Sequence, residues 1–288
     1  MLHLIVCLGV LSISFSAVFV RLAAVSPVTA TFYRAAYAAP VLVVIWLIER
    51  SEDRRGTRER WLAIGSGVIL AVDLALWHES IALVGAGLGT VIANVQVVFV
   101  AVAAWLLFGE RLTWGRVMLI AVVLGGVALT SGLAQHDAYG SSPVAGAVIG
   151  VIAGFSYAAF LLVYREANST PGPRSGPLMD CTLGMVAGAV ACAVFDRHFT
   201  FTPGRAAHLW LLLLAVGSQV IGWLLIGRAL PELPAIETSI LLLGQPIFAV
   251  MWGLLFFGER LSVLQWAGSA IVLAGVATLS IQAMPPRN

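Results

Sequence analysis

The chain is a succession of long apolar runs separated by short polar joints. Ten runs stand out, at about 3–24, 28–48, 62–83, 86–108, 114–131, 143–164, 177–195, 206–228, 233–257 and 263–281. A helix needs roughly 20 apolar residues to cross a hydrocarbon layer about 30 Å thick, so each run is read as one crossing. Lipid offers no partner to a bare amide, which makes helix the expected form of every run. Segments of about ten residues alternating apolar with polar, the mark of a membrane barrel, do not occur. The longest joints, 49–61, 132–142 and 165–176, leave no room for a soluble domain. Residues 2–20 have the outline of a secretion signal, but no basic residues precede them. Arg21 also falls where cleavage would be expected, so this run is read as the first span. The predicted fold class is an all-α membrane protein with ten transmembrane helices.

A second regularity lies across the first. Residues 96–129 (QVVFVAVAAWLLFGERLTWGRVMLIAVVLGGVAL) align without a gap to 245–278 (QPIFAVMWGLLFFGERLSVLQWAGSAIVLAGVAT). Gln96 meets Gln245, Phe99 meets Phe248, and the FGERL of Phe108–Leu112 returns at Phe257–Leu261. Apolar similarity alone does not reproduce a polar turn together with the glutamine ahead of it. The chain therefore divides into 1–135 and 136–288, each predicted to hold five helices. Five is odd, so the second half enters from the opposite side of the membrane. Inverted repeats of this kind belong to alternating-access carriers, whose substrate sits near the midplane between the halves.

The repeated turn has a local explanation. Gly109 and Gly258 suit a left-handed helix end. Thr113 and Ser262 suit the cap of the following helix, with Gln265 at the capping-box position after Ser262. The alternative gives Glu110 or Glu259 a part in gating.

Composition supports the membrane reading and narrows the function. The 288 residues are 60% hydrophobic and only 10% charged, against about 25% charged in a soluble domain. A net charge of +2 gives no reason to expect a nucleic-acid partner. Cys7, Cys181 and Cys192 all lie in apolar runs with neither metal-ligand nor disulfide spacing. No cofactor or metal is expected. All sixteen basic residues are arginine. With the N-terminus in the cytoplasm, Arg50, Arg54, Arg55, Arg58, Arg60, Arg111, Arg116, Arg165, Arg174, Arg228 and Arg287 lie inside, and only Arg21, Arg197, Arg205 and Arg260 outside. The positive-inside rule prefers that orientation, with both termini cytoplasmic.

Ionisable and amide groups within spans are costly and mark candidate sites. Arg34 in span two either snorkels or meets a substrate carboxylate. Span three carries Asp73, Trp77, His78 and Glu79. Asp73, Trp77 and Ser80 share a face by their spacing, and His78 and Glu79 point to adjacent faces. Such an amphoteric cluster suits a zwitterion, with carboxylates for an ammonium group and Trp77 for an apolar or cationic part. Asn94 and Gln96 lie in span four, Glu237 and Gln245 in span nine. Gln96 and Gln245, as repeat mates, line a cavity or bond helix to helix. Pro246 removes a backbone donor and marks a kink or gating point. Glu237, near a helix start, suits the dipole there. Gln219 and Trp223 in span eight echo Asp73 and Trp77 opposite them, and Tyr157 follows Ser156 in span six. The candidate substrate-binding set is thus Asp73, Trp77, His78, Glu79, Asn94, Gln96, Tyr157, Gln219, Trp223 and Gln245.

The duplicated FGERL-T/S turn, FSAVFVRLA at 15–23, FYR at 32–34 and DLALWHESIALVGAG at 73–87 resemble the EamA-type drug/metabolite transporter superfamily over nearly the whole chain. The resemblance implies ten helices and a central cavity lined mainly by spans 1, 3, 4, 6, 8 and 9. It also implies export of small metabolites, often amino acids. Small multidrug members of that superfamily carry a glutamate in their first helix, whereas spans one and six here have no acid in their apolar interiors. The expectation is a secondary transporter of the bacterial inner membrane that works as a monomer and exports small amphipathic metabolites, amino acids first. Organic-cation efflux is the alternative. A lipid-modifying enzyme would need a metal motif, a nucleophile elbow or a Ser/Lys dyad, and none is visible. A phosphorylated substrate would need several buried cations, and only Arg34 is well inside a span.

Overall fold

A computed structural model describes residues 2–108, 113–133, 135–229 and 241–282, and every regular element among them is helical. The elements are α1 (Leu2–Ser14 continued by Ser16–Ala23), α2 (Pro27–Glu49), α3 (Thr57–Val84) and α4 (Ala86–Ala93 continued by Gln96–Phe108). They continue with α5 (Trp114–Thr130), α6 (Pro143–Ala167), α7 (Ser175–Ala193), α8 (Arg205–Leu213, Leu214–Gly222 and Trp223–Ala229), α9 (Gly244–Phe257) and α10 (Val263–Gln282). Eight of these paths are long and apolar enough to cross a membrane, and Trp114–Thr130 and Gly244–Phe257 are shorter apolar helices. The protein is an all-α, multi-pass membrane protein with the ten helices expected.

Helix ends differ from the apolar runs where polar residues continue the helix into the headgroup region. α3 begins at Thr57 rather than near 62, with Glu59 in its first turn, where an acid complements the helix dipole. The repeated turn behaves as its residues predict. Gly258 ends α9 at φ 60°, a conformation that favours glycine. Ser262 Oγ accepts from Gln265 N at 3.1 Å, and Gln265 Oε1 accepts from Ser262 N at 3.1 Å, the reciprocal pair of a capping box. Thr113 Oγ1 caps α5 by accepting from Arg116 N at 3.4 Å. Gly109 and Glu110 lie outside the described residues.

Packing follows the repeat. α3 lies against α6 and α7, and its counterpart α8 lies against α1 and α2; α5 packs on α10. The repeat mates Phe99 and Phe248 both take part in aromatic contacts. Phe99 meets Phe155 of α6 edge-on at 5.4 Å, and Phe248 stacks on Trp252, which in turn stacks on Phe15 of α1 at 4.5 Å. The α3–α7 crossing is a close one. A Cβ on Gly67 would strike the Cys181 carbonyl, and one on Gly184 would strike the Ile64 carbonyl. Without a hydrophobic drive between helices in lipid, this backbone approach is what yields dispersion contact.

At the end of the bundle where α3 begins, an ionic network fastens these helices. Asp180 of α7 receives Arg55 at 3.0 Å and Arg60 at 3.3 Å, while Asp53 receives Arg55 Nε and Nη2, both at 2.9 Å. The Trp46 indole donates to Asp53 at 2.9 Å, and Ser175 Oγ donates to Glu49. The hydrogen bonds from Arg55 hold the Asp53 carboxyl down to about 2, against the opposing effect of burial and with help from Trp46.

Candidate functional site

The long helices are interrupted at four places along the middle of the bundle. α1 breaks at Phe15, between Ser14 and Ser16. α8 is π-helical over Leu214–Gly222, the segment that carries Gln219. α4 breaks at Asn94 and Val95, where the amides bond three residues back, to Val91 O at 3.1 Å and Ile92 O at 3.0 Å. α9 restarts at Gly244 after a turn at Leu243, the repeat mate of Asn94. π-segments and broken helices free backbone groups and collect at functional sites. The break in α9 falls three residues before Pro246, whose missing N–H leaves the Leu242 carbonyl without its helical donor, and the first half breaks at the matching position with no proline. Asn94 stabilises its own break, its side chain donating to Thr90 O at 2.8 Å.

Beside the π-segment lies a polar cluster sunk in apolar surroundings. Arg34 is 4% exposed and donates from Nε to Gln219 Oε1 at 2.9 Å. Gln219, fully buried, donates in turn from Nε2 to Thr182 Oγ1 at 3.3 Å and Met185 Sδ at 3.4 Å. Asp73 and Tyr157 lie within electrostatic reach of Arg34. Asp73 is 4% exposed, yet it forms neither a hydrogen bond nor an ion pair with any described residue. Around these groups Trp77, Phe160, Cys181 and Met185 form one apolar core, against which Tyr157, Tyr164 and Trp223 pack. Trp223 meets Phe160 edge-on at 6.0 Å. The structure thus brings Asp73, Trp77, Tyr157, Gln219 and Trp223 together, and adds Arg34, Thr182 and Met185.

Other residues of the expected set lie elsewhere. His78 Nδ1 sits 3.2 Å from Pro27 O and 3.1 Å from Thr31 Oγ1, so His78 ties α3 to the start of α2; its Nε2 is buried without a partner. Ser80, two turns along the face of Asp73, donates to Gly146 O on α6 at 2.8 Å. Glu79 lines a separate cleft of about 580 Å³ with Ser26, Asp196 and His198. Gln96 Oε1 is buried without a partner at the α4 break, and Gln245 is half-buried just after the α9 break. Glu237 lies outside the described residues. Thr182 and Met185 carried no signal in the sequence, since a threonine or methionine in an apolar run is ordinary. Only their distance to Gln219 shows their part.

A π-helical segment beside a buried guanidinium and carboxyl, inside a multi-pass helical bundle, suits a membrane carrier. The comparisons agree: the chain matches the EamA-like transporter family over residues 1–132 and 144–281, and it belongs to that family. It is 24% identical over 243 residues to the uncharacterized transporter YwfM of Bacillus subtilis (strain 168), covering 83% of this chain and 79% of that protein. An uncharacterized transporter of Archaeoglobus fulgidus is 22% identical over 271 residues, 92% of each chain. One protein crystal structure superposes with a TM-score of 0.65 at 16% identity, covering 98% of this chain and 99% of the other, which is a likeness of fold. The protein is a transporter.

Proposed function

We propose that the protein exports small amphipathic metabolites, foremost amino acids, by alternating access across the bacterial inner membrane, with both termini in the cytoplasm. The observation that carries this reading is the pairing of Arg34 with Asp73. A guanidinium and a carboxyl group lie within electrostatic reach of one another in the middle of the bundle, with no direct ion pair between them. A charge within a membrane domain is costly unless partnered. A zwitterion meets both charges at once: its carboxylate faces Arg34, which can donate two parallel bonds, and its ammonium group faces Asp73. Trp77, Tyr157 and Trp223 offer aromatic surface to an apolar side chain. The orientation follows from the arginines, eleven of which then fall on the cytoplasmic side and four outside, with Arg34 within the membrane.

Counterflow in proteoliposomes tests the substrate class. A panel of radiolabelled amino acids is expected to exchange, bulky apolar ones fastest. Exchange of organic cations but no amino acid would move the assignment to drug efflux through Asp73 alone.

A further inference from the structure

π-Segments are rare, and most are single-turn bulges. The one in α8 runs for nine residues, Leu214–Gly222. Its counterpart α3 is α-helical throughout, from Thr57 to Val84, so the ten-helix plan does not itself demand a π register. What holds α8 in that register lies on α1. Ser12 Oγ donates to Gly217 O at 2.8 Å, and Ser218 Oγ donates to Ser12 O at 3.2 Å. This reciprocal clasp joins the two helices at the centre of the π-segment. Their close approach permits it: a Cβ on Gly222 would strike Ile13, and one on Gly9 would strike Ile226. α1 is fixed in its turn, since the Trp252 indole of α9 donates to Ser14 Oγ at 2.9 Å.

The residue after the clasp is Gln219. Gly217 and Ser218 meet α1, while Gln219 turns to α2 and α7, with Oε1 on Arg34 Nε and Nε2 on Thr182 and Met185. Ser218 and Gln219 are both fully buried. A π-turn closes over one residue more than an α-turn. Returning the segment to the α register therefore swings Gln219 around the helix axis by about one residue's rotation, roughly 100°. That carries it out of line with Arg34. The bond at Nε sets the plane of the guanidinium and leaves its two terminal nitrogens as the fork that a carboxylate needs. Without that bond the charge of Arg34 remains but its direction is not fixed.

We propose that Ser12 and Ser218 are positioning residues for the substrate site: their clasp holds α8 in the π register, and that register aims Gln219 at Arg34, so that the guanidinium meets the substrate carboxylate as a fork. Both serines act through Gln219 rather than on the substrate. Ser12 belongs to the first helix and Gln219 to the eighth, so the setting of the carboxylate site depends on how these two helices meet. The proposal rests on the reading of Arg34 as the partner of a carboxylate.

Counterflow in proteoliposomes tests it, with leucine as the probe and isopentylamine, which lacks the carboxylate, as the competitor. S12A and S218A are expected to raise KM for leucine, and the double variant to raise it about tenfold, the effect of one or two hydrogen bonds, with kcat changed less than about twofold. The preference for leucine over isopentylamine is expected to fall by the same factor. S12T, which keeps the hydroxyl, is expected to bring both values back toward the parent. A loss of kcat or of folded protein with KM and preference unchanged is the mark of a merely structural contact and overturns the proposal. R34Q separates the proposal from the reading beneath it. Preference lost in R34Q but kept in S12A/S218A overturns the proposal alone, whereas preference kept in R34Q overturns the carboxylate reading. The structure of S12A/S218A decides the matter of register whatever leucine does. An α-helical 214–222 with Gln219 turned from Arg34 supports the proposal, and a π-helical one with the Gln219–Arg34 bond intact overturns it.

Discussion

Two buried charge clusters in this molecule use similar residues in opposite ways. At the end where α3 begins, Arg55 is shared by Asp53 and Asp180, Arg60 adds a second cation to Asp180, and Trp46 takes up Asp53. Both oxygens of Asp53 accept and Asp180 Oδ2 meets two cations, while Arg55 Nη1 is buried without a partner. In the middle of the bundle Arg34 is held at one nitrogen by Gln219, and Asp73 accepts no hydrogen bond from any described residue. The first arrangement fastens α7 to α2 and α3. The second keeps hydrogen-bonding capacity in reserve inside an apolar core of Trp77, Phe160 and Met185. The state of the acids thus separates a fastening from a binding site: Asp53 and Asp180 are paired within the fold, while Asp73 keeps its acceptors for a ligand.

That contrast is open to attack from either side. The largest effect is expected at the paired cluster. D180A leaves Arg55 with Asp53 as its one acidic partner and takes the buried carboxylate from Arg60, so the cost should lie below the roughly 3–5 kcal/mol of a buried charge left wholly unpaired. The expected result is a sharp fall in thermal stability and in the yield of monodisperse protein. If D180A left stability intact and abolished transport, the assignment of the two clusters would be reversed.

A smaller effect is expected one step out from Arg34. T182V removes a bond to Gln219 without changing the size of the side chain much. Losing one hydrogen bond costs about 0.5–1.5 kcal/mol, so Gln219 should hold Arg34 less firmly, and transport should fall several-fold with the melting temperature nearly constant. A pure stability loss would return Thr182 to packing. The smallest effect is one of pH. The Asp53 carboxyl titrates at about 2 instead of the ordinary 3.8, so its contribution to stability is complete above about pH 4 and fades as the pH falls toward 2. Wild-type protein should lose melting temperature across that window, and D53N, less stable at neutral pH, should show a shallower decline.

Much of this was legible in the sequence because local pattern decides it. The described apolar runs, the Ser262–Gln265 box and the left-handed Gly258 depend on neighbours within a few residues, and each took the form its residues predict. Long-range partners are a different matter. Nothing near Glu259 shows that it caps α4, because Ala86 lies more than a hundred residues upstream. The break in α4 has no proline to announce it, and the π-segment around Gln219 lies in an unbroken apolar run. Asp73 with Trp77 and Gln219 with Trp223 converge as the repeat suggested. His78, Ser80 and Glu79 point to different neighbours, because successive positions on a helix face successive directions. In the sequence Arg55 counts only as one of the cytoplasmic arginines, and Asp180 carries no signal. Their pairing depends on how closely α3 and α7 approach, which Gly67 and Gly184 permit.

The account stands most directly on Arg34 and Asp73 as the two ends of a zwitterion site. Competition against amino-acid counterflow, using analogues that lack either the carboxylate or the ammonium group, measures this. Wild-type protein should prefer the intact amino acid over both analogues by tenfold or more (about 1.4 kcal/mol). R34Q should lose its discrimination against the amine alone, and D73N its discrimination against the acid alone, with both variants folded. Unchanged discrimination in both variants would contradict the account.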